Sequence, residues 1–111
     1  MRQNHTAVVE RNVTWQGAFE TEPYEAAWAS EAIFFVRTLK ASGGVSAADV
    51  RVQISPDGLH WCDEGSAVSL CDETDGVTFV RVRHFGTFLR LVGTLPNGAE
   101  ATVIVYLSLK E

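Results

Sequence analysis

Side chains able to do chemistry are sparse and scattered in this chain. His60, Cys62, Cys71 and His84 together would supply four nitrogen and sulfur ligands. A His-x-Cys followed by a lone Cys is not, however, the pair of Cys-x-x-Cys knuckles that holds structural zinc. Asp63, Glu64, Asp72, Glu73 and Asp75 form an oxygen-rich stretch that would suit a hard cation such as calcium, but without the spacing of an EF-hand loop. The expectation is therefore no metal and no cofactor, calcium being the one ion the composition would favour. Glu20, Glu22 and Glu25 offer carboxylate pairs on paper for glycoside hydrolysis. Such a pair works only when it flanks a cleft at ~5 Å or ~6.5–9.5 Å, and nothing in the sequence locates one. No Gly-x-Ser-x-Gly and no glycine-rich phosphate loop is present. The reading is a protein that is not an enzyme.

Binding chemistry is better represented. Trp15, Tyr24 and Trp28 flank the least regular stretch of the chain, where an aromatic ring serves equally as a buried plug, as an anchor at a subunit contact or as a platform for a pyranose. Charge is segregated. Asp57 to Gly76 holds six acids and no Lys or Arg, whereas Val77 to Pro96 holds Arg81, Arg83 and Arg90 and no acid. Side chains two apart on a strand project together, so Arg81 and Arg83 are expected to share a face with Phe79 and Phe85. An Arg–Phe stripe and an acidic cluster (Asp63, Glu64, Asp72, Glu73, Asp75) make complementary surfaces, able to join copies of the chain and to fix their register. The opposing possibility is that each Arg meets acid within its own subunit.

The elements that position these groups read almost entirely at period two. Val50, Val52 and Ile54 alternate with Arg51, Gln53 and Ser55, and Ala101, Val103, Val105, Leu107 and Leu109 alternate with Thr102, Ile104, Tyr106, Ser108 and Lys110. Ile33–Leu39, Val77–Phe85 and Phe88–Gly93 are β-branched and aromatic runs; Thr6–Trp15 is a sixth strand candidate and Ala67–Leu70 a weaker seventh. Pro23–Ala32 admits one or two helical turns at most. Turn chemistry stands at Ser42-Gly43-Gly44, Pro56-Asp57-Gly58, Asp75-Gly76, Phe85-Gly86-Thr87 and Pro96-Asn97-Gly98. Phe85-Gly86-Thr87 is tight enough to predict a hairpin that would set Arg90 on the strand beside Arg81 and Arg83. The expected fold is one all-β domain over residues 1–111, an antiparallel β-sandwich of jelly-roll type with seven or eight strands and at most one short helical turn.

Val52-Gln53-Ile54-Ser55-Pro56-Asp57-Gly58-Leu59-His60-Trp61 resembles the strand–turn–strand of discoidin-like, or coagulation-factor type C-like, sandwiches, and Thr87-Phe88-Leu89-Arg90-Leu91-Val92 resembles their Arg-containing late strand. The resemblance covers roughly the last sixty residues. Its physical content is a closed Asp-Gly turn with Trp61 burying its ring where the next strand begins. The chain lacks the cysteines near both termini that would bridge the ends, and the ligand-binding spikes of those families have no matching residues here. The resemblance implies a jelly-roll-like scaffold, of a kind used for carbohydrate or lipid binding and for oligomeric shells.

Composition sets the bounds. The 111 residues are 46% hydrophobic and 21% charged, ordinary values for one globular domain. Ala32–Val36 is the longest apolar run, far short of a membrane span. Nine basic against fourteen acidic side chains, net −5, disfavours nucleic acid and anionic membranes as partners. Met1–Thr6 has no apolar signal-peptide core, so a cytoplasmic or virion- or assembly-associated location is expected. Cys62 and Cys71 are expected as reduced thiols, at least one of them buried, rather than as a disulfide. The function expected is a non-catalytic module that self-associates or decorates a larger shell, tail or filament, with glycan binding as the alternative.

Overall fold

A computed structural model describes residues 3–111. Nine strands form: β1 (Asn4–Gln16), β2 (Ala18–Glu20), β3 (Tyr24–Glu25), β4 (Glu31–Ser42), β5 (Asp49–Ser55), β6 (Cys62–Ala67), β7 (Gly76–Arg83), β8 (Phe88–Thr94) and β9 (Glu100–Lys110). They build two antiparallel sheets in the orders β1-β9-β4-β7 and β2-β8-β5-β6, with the two-residue β3 also pairing β8. With β3 set aside, the remaining eight strands pair first with last, second with seventh, third with sixth and fourth with fifth. That is a long hairpin rolled into a jelly-roll sandwich.

Alternation builds the core. Ala101, Val103, Val105, Leu107 and Leu109 of β9 are all buried, and they meet Phe34 and Val36 of β4, Val50 and Val52 of β5, and Leu89 and Leu91 of β8. β9 lies between β1 and β4, so both of its edges are paired and the two chain ends are tied together. Two buried hydroxyls, Thr38 Oγ1 and Thr78 Oγ1, have no hydrogen-bond partner among the described residues.

Several expectations are corrected. No hairpin forms at Phe85-Gly86-Thr87: β7 pairs β4 in one sheet, β8 pairs β5 in the other, and the connection crosses the sandwich. His84 takes a left-handed φ of 54°, which breaks the alternation at the end of β7. The stretch Pro23–Ala32 contains no helix; it holds β3 and a turn closed by Ala29 N–H donating to the Ala26 carbonyl at 3.0 Å. The single helical turn lies instead at Val45–Ala47. The seventh strand runs over Cys62–Ala67, ahead of Ala67–Leu70, where Val68 and Leu70 are buried outside any strand. Cys62 is exposed and Cys71 half-buried, both as free thiols, so neither is the buried core thiol expected.

Candidate functional site

β7 is an edge strand, and its alternation divides it cleanly. Val80 and Val82 point into the core while Val77, Phe79, Arg81 and Arg83 point outward. Cross-strand register then assembles a row on the outer face of the β1-β9-β4-β7 sheet: Val8 opposite Tyr106, Tyr106 opposite Phe35, and Phe35 opposite Phe79. Ile33 and Ile104 of β4 and β9 lie on the same face, at the Arg81 and Val77 ends respectively. Phe79 is 49% exposed and Val77 55%, large values for an aromatic and a branched side chain on a regular strand. The Phe35 and Phe79 rings are 6.3 Å apart, and the Arg81 guanidinium lies 4.9 Å from the Phe79 centroid. Neither Arg81 nor Arg83 forms a hydrogen bond or ion pair among the described residues. The face is an apolar band that reaches an open sheet edge and is rimmed there by two uncommitted guanidinium groups.

The predicted stripe loses two members. Phe85 lies beyond the end of β7 and packs half-buried against the core, because the His84 backbone turns it inward. Arg90 lies in the other sheet, not beside Arg81 and Arg83. Its guanidinium donates to Gln53 Oε1 at 2.8 and 3.0 Å and to Glu20 Oε2 at 2.6 Å, and covers the Trp61 ring at 4.1 Å. Trp61 is consequently a half-buried surface ring, not a core residue.

The acidic cluster separates into parts. Asp63 accepts from Arg51 Nε at 3.1 Å and Gln53 Nε2 at 3.0 Å, and these bonds hold its pKa below the ordinary carboxylate range. Glu64 Oε1 accepts from Ser66 N–H, and Asp72 Oδ1 from Ser46 N–H, which lowers the Asp72 pKa as well. Asp75 Oδ1 accepts from Arg37 at 2.9 Å, while Glu73 stands exposed in the turn before β7. The opposing possibility thus holds for Arg51, Arg37 and Arg90, each paired with acid inside its own subunit, and does not hold for Arg81 and Arg83.

Of the aromatic candidates, Trp15 is 5% exposed and stacks on Phe19 at 3.8 Å between centroids, so it is a core plug with no face free for a sugar. Tyr24 is half-buried against the core, and Trp28 is 42% exposed. A shallow groove on the outer face of the second sheet is lined by Glu20, Arg51, Gln53, Arg90 and Thr94. No local pattern brings this polar network together: the outward phase of Arg51 and Gln53 in β5 is legible from alternation, but their meeting with Glu20 and Arg90 depends on strand order.

Among the described residues no three His, Cys, Asp or Glu side chains converge as a metal would require. Glu20, the first carboxylate of the paper pair, is bound to Arg90. No helix is long and apolar enough to cross a membrane.

No protein-family model matches the chain, and no curated protein matches it by sequence. Solved structures do match it in fold. The SPBc2 prophage-derived protein YomS is similar over 100% of this chain and 96% of its own, with a TM-score of 0.59 at 10% identity. The infectious bursal disease virus VP2 subviral particle is similar over 98% of this chain, which spans only 32% of VP2, with a TM-score of 0.59 at 14% identity. An F5/8 type C domain from Bacteroides fragilis is similar over 87% of this chain and 74% of its own, with a TM-score of 0.53 at 14% identity. The discoidin-like likeness therefore extends well beyond the last sixty residues. At these identities the likeness establishes the fold alone: an all-β sandwich, shared with a prophage-derived protein, with part of the VP2 chain of a subviral particle and with an F5/8 type C domain.

Proposed function

We propose that this protein is a non-catalytic structural module that assembles through the outer face of the β1-β9-β4-β7 sheet, with itself or within a larger shell, tail or filament. The observation that carries this reading is the apolar row Val8–Tyr106–Phe35–Phe79, which runs to an open edge rimmed by Arg81 and Arg83. Exposed aromatic and Arg side chains that surround an apolar centre are the composition of protein interfaces, whereas isolated exposed hydrophobics need no explanation. The fold shared with a prophage-derived protein and with part of the VP2 chain of a subviral particle fits the same reading.

The test is absolute mass in solution by light scattering behind a sizing column, across concentration and salt. The expected result is a species heavier than the 12.2 kDa monomer, loosened by salt. A 12.2 kDa species at every concentration overturns self-association. It would shift the weight to glycan binding, which one observation favours: the groove of Glu20, Arg51, Gln53 and Arg90 beside the Trp61 ring combines polar donors and acceptors with an aromatic edge.

A further inference from the structure

We infer that the partner of β7 is β7 of a second copy, paired antiparallel about a two-fold axis at Thr78, so that two β1-β9-β4-β7 sheets join into one continuous eight-stranded sheet; this deepens the assembly reading and rests on it. On its far side from β4, β7 pairs no strand among the described residues, which leaves a row of backbone donors and acceptors open. The outward side chains along this edge are Asp75, Val77, Phe79, Arg81 and Arg83, since Asp75 reaches Arg37 on the outer face and the strand alternates from there. Acid therefore stands at one end, base at the other and apolar residues between.

Antiparallel pairing through Thr78 sets each type against its complement. Val77 faces Phe79 of the second copy, and Arg81 faces Asp75, whose Oδ2 is not used by Arg37. Arg83 lies against the exposed Glu73 turn. Symmetry repeats every one of these contacts. A parallel pairing would instead set Arg81 against Arg81 and Arg83 against Arg83. The same charges that attract in one register thus repel in the other.

An independent observation marks the axis. Thr78 Oγ1 is buried and has no hydrogen-bond partner among the described residues, and buried hydroxyls are rarely left so. At the axis Thr78 faces Thr78 of the second copy, where each hydroxyl can serve the other. The chain already contains such a cross-strand pair, Thr14 Oγ1 and Thr102 Oγ1 at 3.0 Å.

The experiment uses two variants of the full chain. Arg81→Glu with Arg83→Glu makes the edge acidic throughout. Glu73→Lys with Asp75→Asn makes it basic, and Asn tolerates the left-handed φ of 61° at position 75. Each variant alone is expected to be monomeric, with dimer affinity at least tenfold weaker than wild type, and a 1:1 mixture is expected to restore a heterodimer. Thr78→Cys with Cys62→Ser and Cys71→Ser is expected to form a covalent dimer on mild oxidation, because facing residues of paired strands lie within disulfide reach. A multimer that persists in both variants, or a mixture that stays monomeric with no Thr78→Cys cross-link, overturns edge pairing and leaves assembly by another surface standing. A wild-type monomer at every concentration overturns edge pairing and self-association together.

Discussion

At the scale of single residues, the best-defined chemistry is structural and sits in the Ser55–His60 turn. Ser55 is buried; its Oγ accepts the Gly58 N–H at 2.8 Å and the Asp57 N–H at 3.2 Å, and its hydroxyl donates to Asp57 Oδ1 at 3.1 Å. Asp57 Oδ1 in turn accepts the His60 and Leu59 N–H groups at 2.9 and 2.8 Å, and Oδ2 meets His60 Nδ1 at 2.7 Å. Gly58 carries the positive φ of 80° that closes the turn. The resemblance at Ser55-Pro56-Asp57-Gly58 thus marks a backbone device; it fails at Trp61, whose ring lies half-buried on the surface beneath Arg90 of another strand. Ser55→Ala removes the shared acceptor of two N–H groups and is expected to cost about 1–2 kcal/mol of unfolding free energy, measured by urea denaturation. An unchanged midpoint would mean that water replaces the hydroxyl without loss.

Elements were legible where one face is wet and the other dry. β5 and β9 follow from alternation alone, and β4 and β8 from their β-branched and aromatic runs. β6, Cys-Asp-Glu-Gly-Ser-Ala, carries no apolar alternation because it is a sheet edge with little to bury, so its position was not readable. β3 is two residues held by β8, a strand made by its partner rather than by its own sequence. Contact between elements also imposes Gly93: a Cβ there would lie 2.2 Å from the Asp49 carbonyl oxygen of β5 and 2.9 Å from the Phe19 ring of β2. Gly93→Ala must push β8 away from both neighbours, with an expected loss of about 2–3 kcal/mol in the same denaturation measurement. Loss below a few tenths would show that the sheet yields there at no cost.

For the whole molecule, charge acts collectively. The carboxylates of Asp57, Asp63 and Asp72 are all held below the ordinary aspartate value of 3.8, by the backbone N–H groups of His60 and Leu59, by the Gln53 and Arg51 side chains, and by Ser46 respectively. A depressed folded-state pKa means that the unfolded chain binds these protons first. The stabilisation is therefore fully present above the ordinary aspartate range and is lost as pH falls through and below it. Thermal unfolding followed from pH 7 to pH 2 is expected to show a flat midpoint down to about pH 5 and a progressive fall below it. A midpoint unmoved at pH 3 would mean that these carboxylates are as well solvated unfolded as folded. The net charge of −5 at pH 7 also leaves Arg81 and Arg83 as a local exception on an acidic molecule, the setting in which charge selects one orientation of a partner.

Alternation along single strands, and the residues that close turns, are local properties, so the sequence by itself determined the all-β class, most strands, the inward and outward sides of β7 and β9, and the exposure of Phe79, Arg81 and Arg83. Strand order is set by which apolar faces close over one another across tens of residues, and no local pattern encodes it. Only the tertiary structure decided that β7 and β8 part company, that Arg90 goes to Glu20 and Gln53 on the opposite sheet, and that Trp15 is sealed against Phe19. It also decided that Val8, Tyr106, Phe35 and Phe79, drawn from four strands as far apart as the two ends of the chain, lie in one row that leads to an open edge.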